Sequence, residues 1–167
     1  MTEPSEDWEK RNAALWAAID DYDEEEFVAS IDAIAAELAA GSAAGLFERA
    51  AARDSTGNPD LAVPLYRAAL EKGLTGVRRR RAAIQMASSL RNLGHPQEAV
   101  VLLEAELDRE KDALSGAVRA FLALALVDVG REREAAAVAL TALSEYLPRY
   151  NRSLARYAQD VAPHRAM

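Results

Sequence analysis

Residues 50–70 read AAARDSTGNPDLAVPLYRAAL, residues 87–107 read ASSLRNLGHPQEAVVLLEAEL, and residues 123–143 read ALALVDVGREREAAAVALTAL. Aligned on Gly57, Gly94 and Gly130, the three stretches agree in four columns. These are an alanine seven residues before the glycine (Ala50, Ala87, Ala123), the glycine itself, an alanine five after it (Ala62, Ala99, Ala135) and a leucine thirteen after it (Leu70, Leu107, Leu143). An alanine-rich composition does not produce such agreement by coincidence, so the chain carries an internal repeat. A small residue midway along one helix, and another on the first turn of the next, let two antiparallel backbones approach closely. The glycine between them supplies the positive φ of a tight turn. The leucine, eight residues past the second alanine, is expected on that alanine's helical face, filling the core between hairpins.

Before the repeats, apolar residues recur at helical spacing in two further groups, Trp8, Leu15, Trp16 and Ile19, then Phe27, Ile31, Ile34 and Leu38. They predict two amphipathic helices. Asp23 stands three residues before Glu26, which predicts a capping box at the second of them. Gly41-Ser42 offers a stop and a new N-cap, and Asn58-Pro59 and His95-Pro96 place proline where a first helical residue tolerates it. Gly73 to Gly76 and Lys111-Asp112 read as longer connections. Pro148 predicts the start, or a sharp redirection, of a last helix carrying Tyr150, Leu154, Tyr157 and Val161. No alternating strand pattern occurs. The expected fold is all-α: an acidic N-terminal helical pair in 1–42, three hairpins in 43–147 (about 43–72, 77–109 and 113–146), and a capping helix with a tail in 148–167. Each hairpin buries its apolar face only against neighbours, so the Trp8/Trp16 and Tyr150/Tyr157 helices are the expected caps.

These columns resemble the tetratricopeptide repeat, an alpha-alpha superhelix. Its small residues flank the inter-helix turn. Its large residue later in the second helix corresponds to Tyr66, Leu103 and, weakly, Ala139, and its closing alanine-leucine to Ala69-Leu70, Ala142-Leu143 and, altered, Glu106-Leu107. The glycines lie 37 and 36 residues apart, against about 34 in the family, which puts the extra residues in the inter-repeat loops. The aromatic expected early in the first helix is Leu46, Ala83 or Arg119. Runs such as Arg53 to Gly57, Ser88 to Gly94 and Leu147 to Tyr150 look like a group of small bacterial, actinobacterial-type repeat proteins without assigned activity.

The formal charge of -7 argues against a general nucleic-acid binder, because phosphate contacts demand a basic surface. Residues 1–26 hold ten carboxylates against Lys10 and Arg11, leaving the rest near neutral. There is no cysteine, hence no thiol nucleophile and no cysteine zinc site, and a reducing cytoplasm is expected. The acidic start lacks the basic-then-apolar order of a secretory signal, and no apolar run suits a bilayer, so no membrane role is expected. The two histidines, His95 and His164, have no ligand or nucleophile partner at a useful spacing, and no phosphate loop or hydrolase elbow is present. No cofactor, metal or catalytic role is expected. Asp20 to Glu26 lack the spacing and the glycine of a calcium loop, so a solvated helix junction explains them better. Arg78 to Arg81 point in different directions around a helix, which suits a solvated or ion-paired face better than nucleic acid. Arg49 and Arg53 share a face and are expected to pair with Asp54 or Asp60.

The resemblance implies a protein-binding scaffold or adaptor that holds a partner's peptide in a concave groove lined by the first helix of each hairpin. Residues at the family's groove positions are Arg81, Ile84, Ser88, Arg91 and Asn92 in the central repeat, with Gln85 beside them. Phe47, Ala51, Asp54 and Ser55 lie on one side, and Ala117, Ala120, Leu124 and Asp128 on the other. Arginine forks and amides at this spacing suit a carboxylate or a peptide backbone. Self-association, for example as a homodimer, and small-ligand sensing in the groove are the alternatives. Whether the acidic N-terminal helices fold over the groove as an internal ligand is left open.

Overall fold

The computed structural model describes residues 4–109 and 111–162. His164 and both chain ends lie outside that range. Among the described residues the secondary structure is entirely helical. The helices are α1 (Glu6–Ala17), α2 (Glu24–Ala36), α3 (Ala43–Ser55), α4 (Pro59–Glu71), α5 (Gly76–Asn92), α6 (Pro96–Leu107), α7 (Ser115–Asp128), α8 (Glu132–Ser144) and α9 (Asn151–Val161), with a short 3-10 turn at Ile19–Asp21. Among the described residues no helix is long and apolar enough to cross a membrane.

Three turns explain the repeat. Gly57, Gly94 and Gly130 take φ of 76°, 81° and 75°. At each, the amide after the glycine donates 2.8 Å back into the preceding helix, from Asn58 to Arg53 O, His95 to Leu90 O and Arg131 to Leu126 O. The glycine amides donate to Asp54 O, Arg91 O and Val127 O. These paired bonds satisfy carbonyls that a helix end leaves without partners, and they need a left-handed residue between them. The alanine columns are buried as expected: Ala50, Ala62, Ala87 and Ala99 at 0 %, Ala135 at 3 % and Ala123 at 8 % exposure.

The leucine column is not the core column. Leu107 and Leu143 are 38 % and 50 % exposed, and Leu70 is half-buried. The buried position comes one residue earlier, at Ala69, Glu106 and Ala142. A helix turns about 100° per residue, so seven residues return to within about 20° of a starting face whereas eight overshoot it by about 80°.

The chain gathers into two compact units, Met1–Ser89 and Leu90–Met167, dividing within α5. In the first, α2 packs on α3 and α3 on α4, around Phe27, Ile31 and Ala52 with Leu15, Trp16, Ile19 and Val28 against them. Asp23 caps α2, accepting from the Glu26 amide at 2.8 Å. Arg53 and Arg49 do not pair with Asp54 or Asp60. Arg53 forks onto Asp32 of α2 at 2.8 and 3.0 Å, with Arg49 3.6 Å from the same carboxylate. Both arginines lie on the α3 face that meets α2, which is why their partner comes from that helix. In the second unit α6 packs on α7, α7 on α8 and α8 on α9. Its core includes Leu103, Val118, Leu122 and Leu126. Helix α9 starts later than expected, after Tyr150, which sits outside it at a left-handed φ of 64°. Tyr150 and Tyr157 stay 77 % and 54 % exposed, so Ala158, which is fully buried, rather than a tyrosine anchors this helix.

Candidate peptide-binding surface

In the first unit, α3 and α5 are the first helices of their hairpins, and the structure sorts the expected groove residues on them into buried and reachable. Phe47 is fully buried and Ile84 nearly so, which takes both side chains out of a peptide's reach. Phe47 packs on Tyr66 with ring centroids 6.1 Å apart, and the Arg81 guanidinium lies 5.2 Å over its ring. Arg81 itself is exposed, Gln85 and Ser88 are half-buried, and Ser55 is exposed. The Gln85 Oε1 atom is buried without a hydrogen-bond partner.

Asp54 is engaged internally. The Ser89 hydroxyl donates to its Oδ1 at 2.6 Å and the Tyr66 hydroxyl to its Oδ2 at 3.3 Å. Burial pushes the Asp54 carboxyl above its ordinary value, against the pull of those two bonds. Burial, then the nearby Asp54 charge, pushes the Tyr66 phenol up as well.

In the second unit the structure brings two expected groove residues together. Arg91 Nε donates to Asp128 Oδ2 at 2.6 Å, so a carboxylate arriving at Arg91 meets one already there. Asn92 is exposed, and Leu124 is 47 % exposed.

A polar cluster beneath α1 was not among the expected site residues. Trp8, Asn12 and Trp16 recur every fourth residue, one helical face. Trp8 is 2 % exposed and its indole N–H donates 2.8 Å to Ile34 O, among the last carbonyls of α2. Arg11 forks onto Glu37 just past that helix, at 2.6 and 2.7 Å. Trp16 donates 2.8 Å to Glu48 Oε2. Arg78 of α5 completes the cluster. Its Nη atoms fork onto Glu9 at 2.6 and 2.7 Å, its Nε donates to Glu48 Oε1 at 2.8 Å, and its guanidinium lies 5.6 Å over the Trp8 ring. Glu48 is 1 % exposed, a buried carboxylate held between an indole and an arginine. These bonds, the Glu9 fork first, push the Arg78 pKa further up, so it stays charged. The only sequence signal was the Trp8/Trp16 spacing, because one glutamate in a charged helix gives no hint of burial.

A family model described as "Tetratrico peptide repeat" matches residues 43–161. No curated protein and no solved structure matches the chain.

Proposed function

Because the chain belongs to the tetratricopeptide repeat family, we propose that it is a non-catalytic scaffold that holds a partner's peptide segment against the first helices of its hairpins. The observation that carries this reading is the row Arg81, Gln85 and Ser88 on α5. These stay reachable while Ala82, Ala83, Ile84, Met86 and Ala87 between them are buried. Gln85 adds a half-buried amide to that row. A guanidinium laid on Phe47 keeps its edge N–H groups for a carboxylate. The absence of cysteine supports a reducing compartment such as the cytoplasm.

The test is a displayed peptide library selected on the native chain and rescreened on Arg81→Ala and Gln85→Ala. Support is enrichment of peptides whose affinity drops at least about tenfold in either variant while the circular dichroism stays helical. Selected peptides that bind both variants like the native chain remove this surface as the site.

Small-ligand sensing is favoured by a different feature, a cleft of about 380 Å³ among α7, α8 and α9. Ala137, Val138 and Ala158 line it together with Arg119 and Glu134. Arg119 is paired with Glu145, and Glu134 with Arg131, so the cleft suits a small, largely apolar ligand. A metabolite panel that raises the melting temperature of the native chain, but not of Arg119→Ala, supports that reading. A flat panel removes it.

A further inference from the structure

We propose that the seat of α1 on α2, α3 and α5 is itself a helix-binding site, that α1 fills it as a displaceable internal ligand, and that the partner is an amphipathic helix presenting an indole next to a carboxylate. This rests on the reading of the chain as a peptide-binding scaffold and names the chemistry of one occupant.

Helix α1 is held in the manner of a bound ligand. A permanent core helix buries a broad aliphatic stripe. Among the described residues, the buried side chains of α1 are Trp8 and Asn12, while Leu15 and Trp16 are partly buried against Phe27 and Ile31. Its polar anchors are Glu9 on Arg78, Arg11 on Glu37 and Trp16 on Glu48. Tryptophan and arginine forks of this kind carry recognition between separate proteins. The fit is also imperfect. The Asn12 Oδ1 atom is buried without a hydrogen-bond partner, a cost that an occupant with an apolar residue there would not bear.

The seat lies at one end of the surface proposed for peptides. Arg78, Arg81, Gln85 and Ser88 fall at i, i+3, i+7 and i+10 of α5, within about 80° of one another around the helix. A longer occupant that begins where Glu9 sits has Arg81 and Gln85 next along its path. Arg78 is the selective element. It meets Glu9 with both Nη atoms while its Nε is committed to Glu48, so the position asks for a carboxylate. The Ile34 carbonyl asks for the indole N–H beside it.

The experiment titrates a fluorescein-labelled peptide of residues 4–22 into three proteins and follows anisotropy: the native chain, Trp8→Ala/Glu9→Arg, which empties the seat, and that variant with Arg78→Ala/Glu48→Gln added, which removes the arginine without stranding a buried charge. The proposal expects the opened chain to bind the peptide at least about tenfold tighter than the native chain, and the added Arg78→Ala/Glu48→Gln to abolish the gain. Equal binding to native and opened chains, or no binding to the opened chain, overturns it. If the opened chain loses helicity, hydrogen exchange on the native chain decides. Amides of α1 exchanging about a hundredfold faster than those of α3 support the proposal, and equal protection overturns it. None of these variants touches Arg81 or Gln85. Failure here alongside library peptides that still need Arg81 rejects the role of α1 and leaves the scaffold reading standing.

Discussion

Ser89 of α5 and Asp54 of α3 are joined by a 2.6 Å hydrogen bond, hydroxyl to carboxylate, with the Tyr66 hydroxyl of α4 on the other carboxylate oxygen. Three helices thus meet on one acid whose folded-state pKa is raised, chiefly by burial. The consequence is a pH dependence of definite sign. As pH rises past the ordinary value of 3.8, the unfolded chain releases its proton first, so the native state binds more protons and loses stability. The loss stops once folded Asp54 has ionised. Asp54→Asn does not titrate and keeps an acceptor for Ser89. The stability of the native chain relative to Asp54→Asn should therefore fall as pH rises from 3.8 and then level off, measured by urea unfolding across that range. Parallel curves would show that Asp54 is not perturbed.

Arg78 neutralises a carboxylate that is almost fully enclosed, since the Glu48 side chain is 2 % exposed. Removing one member of a buried pair leaves the other charge stranded, at a cost of about 3–5 kcal/mol, whereas removing both is far cheaper. Arg78→Ala should therefore destabilise strongly, and Arg78→Ala/Glu48→Gln should recover much of the loss although it carries more substitutions. A double variant as unstable as the sum of the singles would mean that Glu48 is not held by Arg78.

The contrast between Ala50 and Glu48 shows what was legible in the sequence. Ala50 could be placed because its burial follows from a column repeated at Ala87 and Ala123, and the turns because a positive φ at Gly57, Gly94 and Gly130 follows from a glycine that recurs with them. Periodicity constrains whatever every hairpin shares. It says nothing about what one hairpin does alone, and Glu48, Arg78 and the fork of Arg53 on Asp32 each occur in a single place. The leucine column shows the limit of counting residues without converting them to angles. Leu143 recurs on schedule yet is half exposed, while Ala142 beside it is buried. Of the expected groove residues, Phe47 is a case where a family position says where a residue sits on the helix but not how deep.

Arg53 holds α3 to α2 through two parallel bonds to Asp32, its Nη1 also reaching the Arg49 carbonyl. The side chains are 21 % and 36 % exposed, so water moderates but does not replace the pairing. Arg53→Ala should cost about 1.5–3 kcal/mol, the range of charge-assisted hydrogen bonds. Arg53→Lys should recover less than half of that, because an ammonium has no fork to match a carboxylate. Full recovery by lysine in thermal unfolding would make charge alone, rather than geometry, the cause.

Two kinds of glycine in this chain should respond to alanine in opposite ways. At Gly57, Gly94 and Gly130 nothing lies within 4 Å of where a Cβ would stand, yet φ is positive. Alanine there has space but the wrong backbone, at a cost of about 1–2 kcal/mol. Asparagine, which tolerates the left-handed region, should cost less at the same sites. Gly116 lies inside α7 at an ordinary φ, and its Cβ would run into the ring and hydroxyl of Tyr146. That ring is 69 % exposed and can swing into solvent, while alanine gains about 1 kcal/mol of helix propensity over glycine. Gly116→Ala should thus leave stability unchanged or raised, and Tyr146 should show the displacement as altered ring chemical shifts. A loss at Gly116 as large as at Gly57 would mean that Tyr146 is fixed in place and that its packing on α7 contributes to the hairpin.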